Sequence, residues 1–222
     1  MIPPKKNAQF VWRMEALLDL YEEPYDPKRP TVCFDERPCQ LLQDVRDPLP
    51  MRAGGDLRRV DHEYRRGGIC YVHVAFEALT GWRRVVATER RTKREFAEEV
   101  RYLAEQAYPA AEQIRLVVDN LSTHSPAAFY ETFSAEEARR LARRVEFIYT
   151  PVHGSWLNMV EIEISVLVRQ CLKRRLPDIE TLRRAVTAWE AERNRLSASV
   201  DWRFTTSDAR IKLRKLYPSI EP

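Results

Sequence analysis

Three acidic residues stand in apolar surroundings, where a charge needs a chemical or structural reason. Asp35 lies inside the β-like run "TVCFDER", and Asp119 ends the apolar run "RLVVD". Glu161 lies in "HGSWLNMVEIEIS", which also contains Glu163. An unpaired charge among apolar neighbours is unfavourable unless it finds a partner, caps a turn or binds a metal. These acids are therefore the first candidates for chemistry in the chain.

The position of Asp119 allows two interpretations. It follows a short apolar run typical of a strand buried on both faces, and catalytic groups of α/β sheets gather at the carboxyl ends of such strands. Alternatively, its carboxylate caps the turn "DNLSTH" that follows. From the residues alone, both interpretations stay open.

The spacing of apolar residues from 157 to 172 separates the two glutamates of the third segment. At about 100° per residue, Glu161 falls within the arc formed by residues such as Val160 and Ile164. Glu163 falls about 200° away, beside Gln170. The pattern predicts that Glu161 points toward the protein and Glu163 toward solvent, so Glu161 is the candidate ligand and Glu163 is not.

Three carboxylates that converge from two strands and a helix would suit hard divalent cations. Mg²⁺ prefers oxygen ligands and keeps several waters, so a few protein carboxylates are enough to hold it. Two such ions about 4 Å apart can clamp the attacking and leaving oxygens of a phosphodiester. Because the bare carboxylates would repel DNA, metal binding and nucleic-acid binding should be coupled.

The composition favours one domain with small extensions. The chain has 222 residues, of which 44% are hydrophobic and 32% charged, and its formal net charge is +4. Basic clusters such as Arg90 to Arg94 permit nucleic-acid binding, although each also fits the solvated face of a helix. The cysteines form no CxxC pair, the histidines have no zinc-ligand spacing, and no apolar run is long enough to span a membrane. We therefore expect a cytoplasmic protein with no zinc site and no membrane partner.

The order of the expected elements indicates an α/β fold. The pattern predicts a helix from about Ala8 to Glu22 with Asn7 as its N-cap. Three antiparallel strands follow, interrupted by a polar loop ("AGGD") and by a hairpin turn at Thr80-Gly81, and later strands are reached through helical crossovers. This is the order of a ribonuclease H-like fold, a mixed five-stranded sheet flanked by helices.

Three motifs occur in a fixed order around the acids. They are "CFDE" around Asp35, "VVDNLSTH" around Asp119 and "TPVHGSWLNMVEIEIS" around Glu161. In this order they resemble the motifs of DDE transposases of the mariner superfamily, in its branch of bacterial insertion-sequence transposases. The third motif of that superfamily has a Leu-Asn pair, two residues and the catalytic glutamate, which here are Leu157-Asn158 and Glu161. The segment "DHEYRRGGICYVHVAFEALTGWR" is also similar, and the resemblance covers about residues 8 to 218.

The resemblance implies an enzyme that cuts DNA at transposon ends and joins the freed 3′-hydroxyl to target DNA. Asp35, Asp119 and Glu161 would hold two Mg²⁺ ions, for which Mn²⁺ could substitute. The partners would be transposon ends, target DNA and a second copy of the chain, in the bacterial cytoplasm and on the nucleoid. The chain would divide into an N-terminal helix and linker (1–30), a ribonuclease H-like catalytic domain (31–176) and a C-terminal helical extension packed on that domain (177–222).

Further residues have supporting roles in this interpretation. His124 matches a histidine common in the second motif and could contact DNA, order the loop or bond locally at the start of a helix. Asn120 and Asn158 are candidates to order the backbone around the acids. The basic residues that we select as candidate DNA contacts are Arg83, Arg84, Lys93, Lys173 and Arg174.

Two departures from the family pattern leave alternatives open. The spacing between Asp119 and Glu161 is longer than is usual in the superfamily, with the excess in "SAEEARRLARR". The helix-turn-helix region that would recognise transposon ends is not visible, which suggests a fragment or a truncated or split reading frame. The alternatives are a ribonuclease H-like nuclease that hydrolyses nucleic acid without joining it, and a silent remnant that binds DNA or regulates a full-length transposase.

Overall fold

A computed structural model of the chain describes residues 7–46 and 62–219. The predicted "AGGD" loop, which follows the first strand, lies outside the described residues. Parts of the expected N-terminal and C-terminal segments, residues 1–6 and 220–222, also lie outside them.

In the described ranges, 7–46 and 62–219, five strands form one mixed sheet, as the sequence predicts. The strands are β1 (Thr31–Asp44), β2 (Tyr64–Glu77), β3 (Trp82–Thr88), β4 (Ile114–Val118) and β5 (Val145–Tyr149). Their order across the sheet is β3-β2-β1-β4-β5. The first three strands are antiparallel neighbours, while β4 runs parallel to both β1 and β5. This arrangement brings the N-terminal half of β1, which carries Asp35, next to the carboxyl end of β4.

Seven α-helices flank the sheet within the described residues. They are α1 (Ala8–Glu22), α2 (Lys93–Tyr102), α3 (Ala127–Thr132), α4 (Ala135–Arg144), α5 (Val160–Leu167), α6 (Ile179–Arg195) and α7 (Thr206–Lys212). The first helix has the predicted bounds, and the side chain of Asn7 caps it by accepting hydrogen bonds from the backbone N–H groups of Gln9 and Phe10 at 3.0 and 3.1 Å. None of the helices described is long and apolar enough to cross a membrane.

The side chains of β1 alternate between two hydrophobic cores, one on each face of the sheet. Cys33 packs with α1, α5, α6 and α7, whereas Val32 and Phe34 pack with α2, α3 and α4. This alternation places Asp35 on the same face as Cys33, as predicted from the period of two. Asp35 is therefore directed toward the side of the sheet on which α5 and its glutamates lie.

The edge strand β3 is covered by side chains of α6. The Asn194 side chain accepts a hydrogen bond from the backbone N–H of Arg83 at 2.9 Å and donates to its carbonyl at 2.8 Å. Glu190 accepts from the backbone N–H of Val85 at 2.6 Å. Because an open edge strand presents unpaired backbone groups, these contacts satisfy part of the edge and join α6 to the sheet.

Candidate active site

Asp35 and Asp119 occupy corresponding positions on two adjacent parallel strands. The pairing of β1 with β4 extends to Cys33 and Val117, and each acid lies two residues beyond its member of that pair. Side chains two residues apart on a strand share a face. The sheet therefore directs both carboxylates to the same side at the carboxyl end of β4, where α/β folds commonly place their chemistry.

The carboxyl group of Asp35 has an unusual electrostatic environment. Burial raises its pKa to about 7, and the negative charges of Asp119, Glu161 and Glu36 act in the same direction. The backbone N–H of Glu36 donates a hydrogen bond to Asp35 Oδ1 at 2.7 Å, which opposes the rise in pKa only in part. Asp35 forms no ion pair with the described residues, so the negative charge of the ionised group is left without a counter-charge.

Asp119 is held by the turn that follows it and by His124. The carboxylate oxygen Oδ1 accepts a hydrogen bond from the backbone N–H of Leu121 at 3.0 Å and lies 2.7 Å from His124 Nδ1. Asp119 thus does cap the turn, and it also faces the site, so the two interpretations of this residue are compatible. Although burial would raise its pKa, the bonds from His124 and Leu121 keep the pKa of Asp119 below its ordinary value.

His124 connects Asp119 to a second carboxylate. Its Nε2 lies 2.9 Å from Glu36 Oε2, and the ring is 1% exposed between the aromatic rings of Phe34 and Phe96. Burial disfavours the charged imidazolium, but the hydrogen bonds and charges of Asp119 and Glu36 outweigh it and raise the pKa of His124 to about 9. At neutral pH His124 is therefore a cation that donates to both carboxylates. Its burial excludes a direct contact with DNA, and it orders the loop instead.

Glu36 is a site residue that the sequence analysis did not identify. Its side chain is 2% exposed, and its second oxygen Oε1 lies 3.8 Å from Arg91 Nε. It belongs to the "CFDE" motif, but nothing in the linear sequence relates it to a histidine that lies far along the chain. The available signal was its alternation on β1, which places Glu36 on the opposite face to Asp35, the face that His124 approaches.

The start of α5 is tied to the strand that carries Asp35. Asn158 is fully buried, and its Nδ2 donates a hydrogen bond of 3.0 Å to the carbonyl of Phe34. Its Oδ1 accepts from the backbone N–H of Val160 at 3.3 Å. One side chain therefore joins the residue before Asp35 to the first turn of α5, where Glu161 lies. Asn158 thus orders the backbone at the site.

The predicted orientations of the two α5 glutamates are wrong. Glu161 is exposed, whereas Glu163 is fully buried. The buried stripe of α5 consists of Val160, Glu163, Ile164 and Leu167. The prediction extended one helical period from 157 to 172, but only Val160–Leu167 is α-helical, since residues 155–157 form a 3₁₀ turn and Val168–Leu172 form a π turn. These turns change the angle per residue, and so they shift the apolar residues from which the orientations of the two glutamates were predicted.

A family model for DDE superfamily endonucleases matches residues 30–183. The matched range contains all three acids and covers more than half of the sequence. The chain belongs to the DDE superfamily of endonucleases. No curated protein matches the sequence of this DDE endonuclease.

Solved structures of Mos1 transposase share the fold of this DDE endonuclease. The strand transfer complex of Mos1 has a TM-score of 0.59 and 12% identity over 89% of this chain and 59% of that chain. A pre-cleavage Mos1 transpososome has a TM-score of 0.58 and 13% identity over 100% of this chain and 67% of that one. The paired-end complex of Mos1 with the left transposon end has a TM-score of 0.55 and 14% identity over 89% of this chain and 60% of that chain. The similarity confirms the ribonuclease H-like fold, and the chain spans about 60% of the Mos1 chain in the paired-end complex.

The basic residues selected from the sequence differ in how far they can reach DNA in this DDE endonuclease. The prediction for Arg83 is wrong, because its side chain is 0% exposed and faces Glu163. Arg84 pairs with Glu99 and lies over the ring of Tyr102, and Lys93 pairs with Glu131, so a phosphate would have to compete with those partners. Lys173 and Arg174 are exposed. These last two residues remain predicted phosphate contacts.

A groove lies beside Asp119. It has a volume of about 300 Å³ and is lined by Asp119, Asn120 and the segment from Thr150 to His153. The Nδ2 of Asn120 donates a hydrogen bond of 2.8 Å to the carbonyl of Thr150, and its Oδ1 accepts one of 2.9 Å from Nη1 of Arg13 on α1. Asn120 therefore joins its own side of the groove to the backbone at Thr150, and Arg13 brings a cation to the groove that the sequence analysis did not identify.

The acids of the DDE endonuclease fit a divalent cation by their chemistry. Within residues 7–46 and 62–219, no three Asp, Glu, His or Cys side chains lie close enough together to hold one ion as they stand. However, burial raises the pKa of Asp35 most, and the negative charges of Asp119, Glu161 and Glu36 raise it further; a hard cation would neutralise that negative charge. Glu161 is exposed and makes no side-chain hydrogen bond or ion pair with the described residues, so it is free to turn toward Asp35 and Asp119.

Proposed function

We propose that this chain is the catalytic part of a mariner-like transposase, which cleaves DNA at transposon ends and joins the 3′-hydroxyl to target DNA. The observation that carries the proposal is the matched placement of Asp35 and Asp119 on adjacent parallel strands, with the helix of Glu161 tied by Asn158 to the strand of Asp35. Membership of the DDE endonuclease family and the fold shared with Mos1 transposase support it.

The three carboxylates would hold two Mg²⁺ ions, with Mn²⁺ as a substitute. When bound, these ions supply the activation of the attacking hydroxyl and the neutralisation of charge that builds up on the phosphodiester. Asp35 and Asp119 are placed by rigid strands, and Glu161 approaches from the exposed side of α5. The two strand residues therefore define the position of the site, while Glu161 completes it.

His124 and Glu36 keep Asp119 ionised and oriented. As a cation, His124 donates one ring proton to Asp119 Oδ1 and the other to Glu36 Oε2. Leu121 and His124 both bond Oδ1, so Oδ2 of Asp119 makes no hydrogen bond with the described residues and is available to a cation. The buried Glu36 balances the imidazolium charge, so His124 holds Asp119 without cancelling the negative charge that a divalent ligand site needs.

DNA would approach along the groove beside Asp119. Arg13 and Arg91 bring positive charge to its surroundings, since Arg13 bonds Asn120 and the charge of Arg91 lowers the pKa of Asp119. The paired-end Mos1 complex contains a transposon end, which favours transposon-end DNA as the substrate of this chain. We extend the proposal to a dimer that synapses two ends.

Nicking of a supercoiled plasmid in the presence of Mn²⁺ tests the cleavage step without knowledge of the end sequence. We expect the wild-type chain to nick the plasmid, and Asp119→Asn and Glu161→Gln each to lower the rate by at least about 100-fold, since each removes a ligand charge. Glu112→Gln is the matched control, because Glu112 is exposed and, among the described residues, its side chain pairs only with Lys28 at 2.7 Å. Equal rates for the wild type and Glu161→Gln would disprove the role of the three acids.

A second assay separates joining from hydrolysis. A labelled oligonucleotide duplex with a recessed 3′-hydroxyl is incubated with the chain, Mn²⁺ and plasmid. Label that becomes covalently attached to the plasmid demonstrates strand transfer. Nicked plasmid without attached label, under conditions in which the three acids are needed for nicking, would support a nuclease that does not join DNA.

A further inference from the structure

A buried charge cluster lies behind the helix that carries Glu161. The carboxylate of Glu163 on α5 and the guanidinium of Arg83 on β3 are both 0% exposed, with Arg83 Nε 2.9 Å from Glu163 Oε1. Arg193 on α6 approaches the same carboxylate with two hydrogen bonds, from Nε to Oε1 at 3.0 Å and from Nη2 to Oε2 at 2.8 Å. Three elements that are distant in sequence thus meet at one side chain.

This cluster is not explained by stability alone. It holds two guanidinium groups against one carboxylate, and neither Nε nor Nη1 of the buried Arg83 makes a hydrogen bond with the described residues, so the contact of Nε with Glu163 is an ion pair without hydrogen-bond geometry. Taking charges out of water is costly, and buried ion pairs are often no more stabilising than apolar residues of the same volume. A bidentate guanidinium does, however, fix the orientation of a carboxylate more strictly than an apolar contact would.

Glu163 and Glu161 lie on nearly opposite sides of α5. They are two residues apart, which corresponds to about 200° around a helix. Asn158 ties the start of the helix to β1, and Glu163 ties its rear to β3 and α6. With both anchors in place, the helix cannot rotate about its own axis, so the backbone position from which the Glu161 side chain turns toward the site is fixed.

We propose that Arg193 and Arg83 are positioning residues that act through Glu163 to place Glu161 at the metal site. The inference rests on the proposed function, in which Glu161 is a metal ligand. A side chain reaches about 5–6 Å from the helix axis, so a rotation of about 10° would move the carboxylate by about 1 Å. A displacement of that size is enough to impair a metal site or a reaction. Through Arg193, the C-terminal extension therefore helps to position a residue of the active site.

Arg193→Gln is the informative variant, because it leaves the buried Arg83–Glu163 pair intact and balanced in charge. We expect Mn²⁺ binding to the full chain, measured by calorimetric titration, to weaken by about 10- to 100-fold, as is typical when a residue behind a metal ligand is changed. Arg193→Lys keeps the charge but not the two-pronged geometry and should recover only part of the affinity. Arg195→Gln is the control, since Arg195 lies on the same helix and, within the part of the chain that the structure describes, pairs only with the exposed Glu192 at 2.8 Å.

Plasmid nicking at increasing Mn²⁺ distinguishes misplacement of Glu161 from its loss. Excess Mn²⁺ should restore the nicking rate of Arg193→Gln toward that of the wild type but should not restore Glu161→Gln. Wild-type Mn²⁺ affinity in Arg193→Gln, together with weakened binding in Glu161→Gln, would overturn the inference and leave the proposed function intact. Equal Mn²⁺ binding by the wild type and Glu161→Gln would instead overturn the proposed function, and the inference with it.

Discussion

At the scale of single residues, His124 is the group whose charge most depends on folding. Its two ring nitrogens face carboxylates, and its pKa rises to about 9 from an ordinary value near 6.5. The folded state therefore holds a proton that the unfolded state releases between these values. A raised pKa of this kind stabilises the folded protein in full below about pH 6.5, and the stabilisation is lost as the pH rises through about 9.

The metal-free protein should accordingly become less stable between pH 6.5 and 9. The expected loss in the free energy of unfolding is up to about 3 kcal/mol, measured by urea denaturation at pH values across this window. His124→Gln should flatten the profile there, because glutamine does not titrate. The raised pKa of Asp35 does not obscure the effect, since its contribution is lost as the pH rises from about 4 to about 7. A profile that stays steep in His124→Gln would contradict the assignment.

Asp35 makes metal binding dependent on pH. A divalent cation competes with the proton on this carboxyl group, whose pKa is about 7 in the metal-free protein. Mn²⁺ affinity should therefore increase by about tenfold per pH unit below pH 7 and level off above it. Calorimetric titration at pH 6, 7 and 8 measures this, with Glu112→Gln expected to behave as the wild type. Affinity that does not change between pH 6 and 7 would show that Asp35 is not a ligand.

At the scale of elements, the sequence predicted those whose signals are local. The bounds of α1 follow from its apolar period and from Asn7, which caps it. Strand β1 was predicted to end at Arg37 but extends to Asp44. Its second half lacks apolar alternation and contains Pro38. A strand tolerates proline there because, among the described strands, β1 pairs beyond Cys33 only with β2.

The features that the sequence did not predict depend on distant residues or on changes of helical period. Glu36 meets His124, and Glu163 meets Arg83, across large separations in the chain. The assumption of one regular helical period also gave the wrong orientation for Glu163. The 3₁₀ and π turns on either side of α5 change the angle per residue. Three acids could be selected as candidates from their apolar surroundings and motifs. Asn120, Asn158 and His124 could also be selected as groups that order the backbone or the loop. The charged side chains Glu36, Glu163 and Arg193 could not.

Gly81, in the turn between β2 and β3, tests how tightly the C-terminal extension is packed. Its φ is +73°, and a Cβ there would lie 2.5 Å from the carbonyl carbon of Ser197. Gly81→Ala should lower the free energy of unfolding by about 3 kcal/mol or more, from backbone strain and from the clash. Gly68→Ala is the matched control, because Gly68 also has a positive φ of +101° but nothing within 4 Å. Its expected loss, measured in the same urea titrations, is about 1–2 kcal/mol. Equal losses in the free energy of unfolding for the two variants would mean that the C-terminal extension moves away from residue 81 at little cost.

At the scale of the whole molecule, the distribution of charge matters more than its sum. The formal net charge is +4, yet many arginines are already paired within the fold, as Arg83, Arg84 and Arg193 are. Exposed cations such as Lys173 and Arg174 therefore carry a larger share of the attraction for phosphate than the total implies.

DNA affinity should consequently depend steeply on salt. Each phosphate contact adds about 0.9 to the slope of log affinity against log salt, so two contacts would weaken binding about tenfold between about 50 and 200 mM. Fluorescence anisotropy with a labelled duplex measures the slope. Replacing Lys173 and Arg174 together by glutamine should reduce the slope by about 2 if both contact phosphate. An unchanged slope would show that neither residue contacts phosphate. Arg203→Gln is the control, because Arg203 is exposed and pairs with the exposed Asp201.

The carboxylates of the three acids and the phosphates of the DNA should repel each other until a cation is bound. In EDTA, the wild-type chain presents Asp35, Asp119 and Glu161 to the phosphate that must lie among them, and like charges at this distance repel. Replacing all three by their amides should strengthen duplex binding in EDTA by several-fold, although the variant cannot cleave. Adding Mn²⁺ should strengthen DNA binding by the wild type but not by the triple variant. Because both proteins experience the same general ionic effects of the cation, the difference between them reports binding of Mn²⁺ at the acids. The readout is anisotropy at one fixed ionic strength, with a phosphorothioate duplex to slow cleavage. If the wild type and the triple variant bind equally in EDTA and respond equally to Mn²⁺, the phosphate does not lie among the three acids, and the DNA must be placed elsewhere on the molecule.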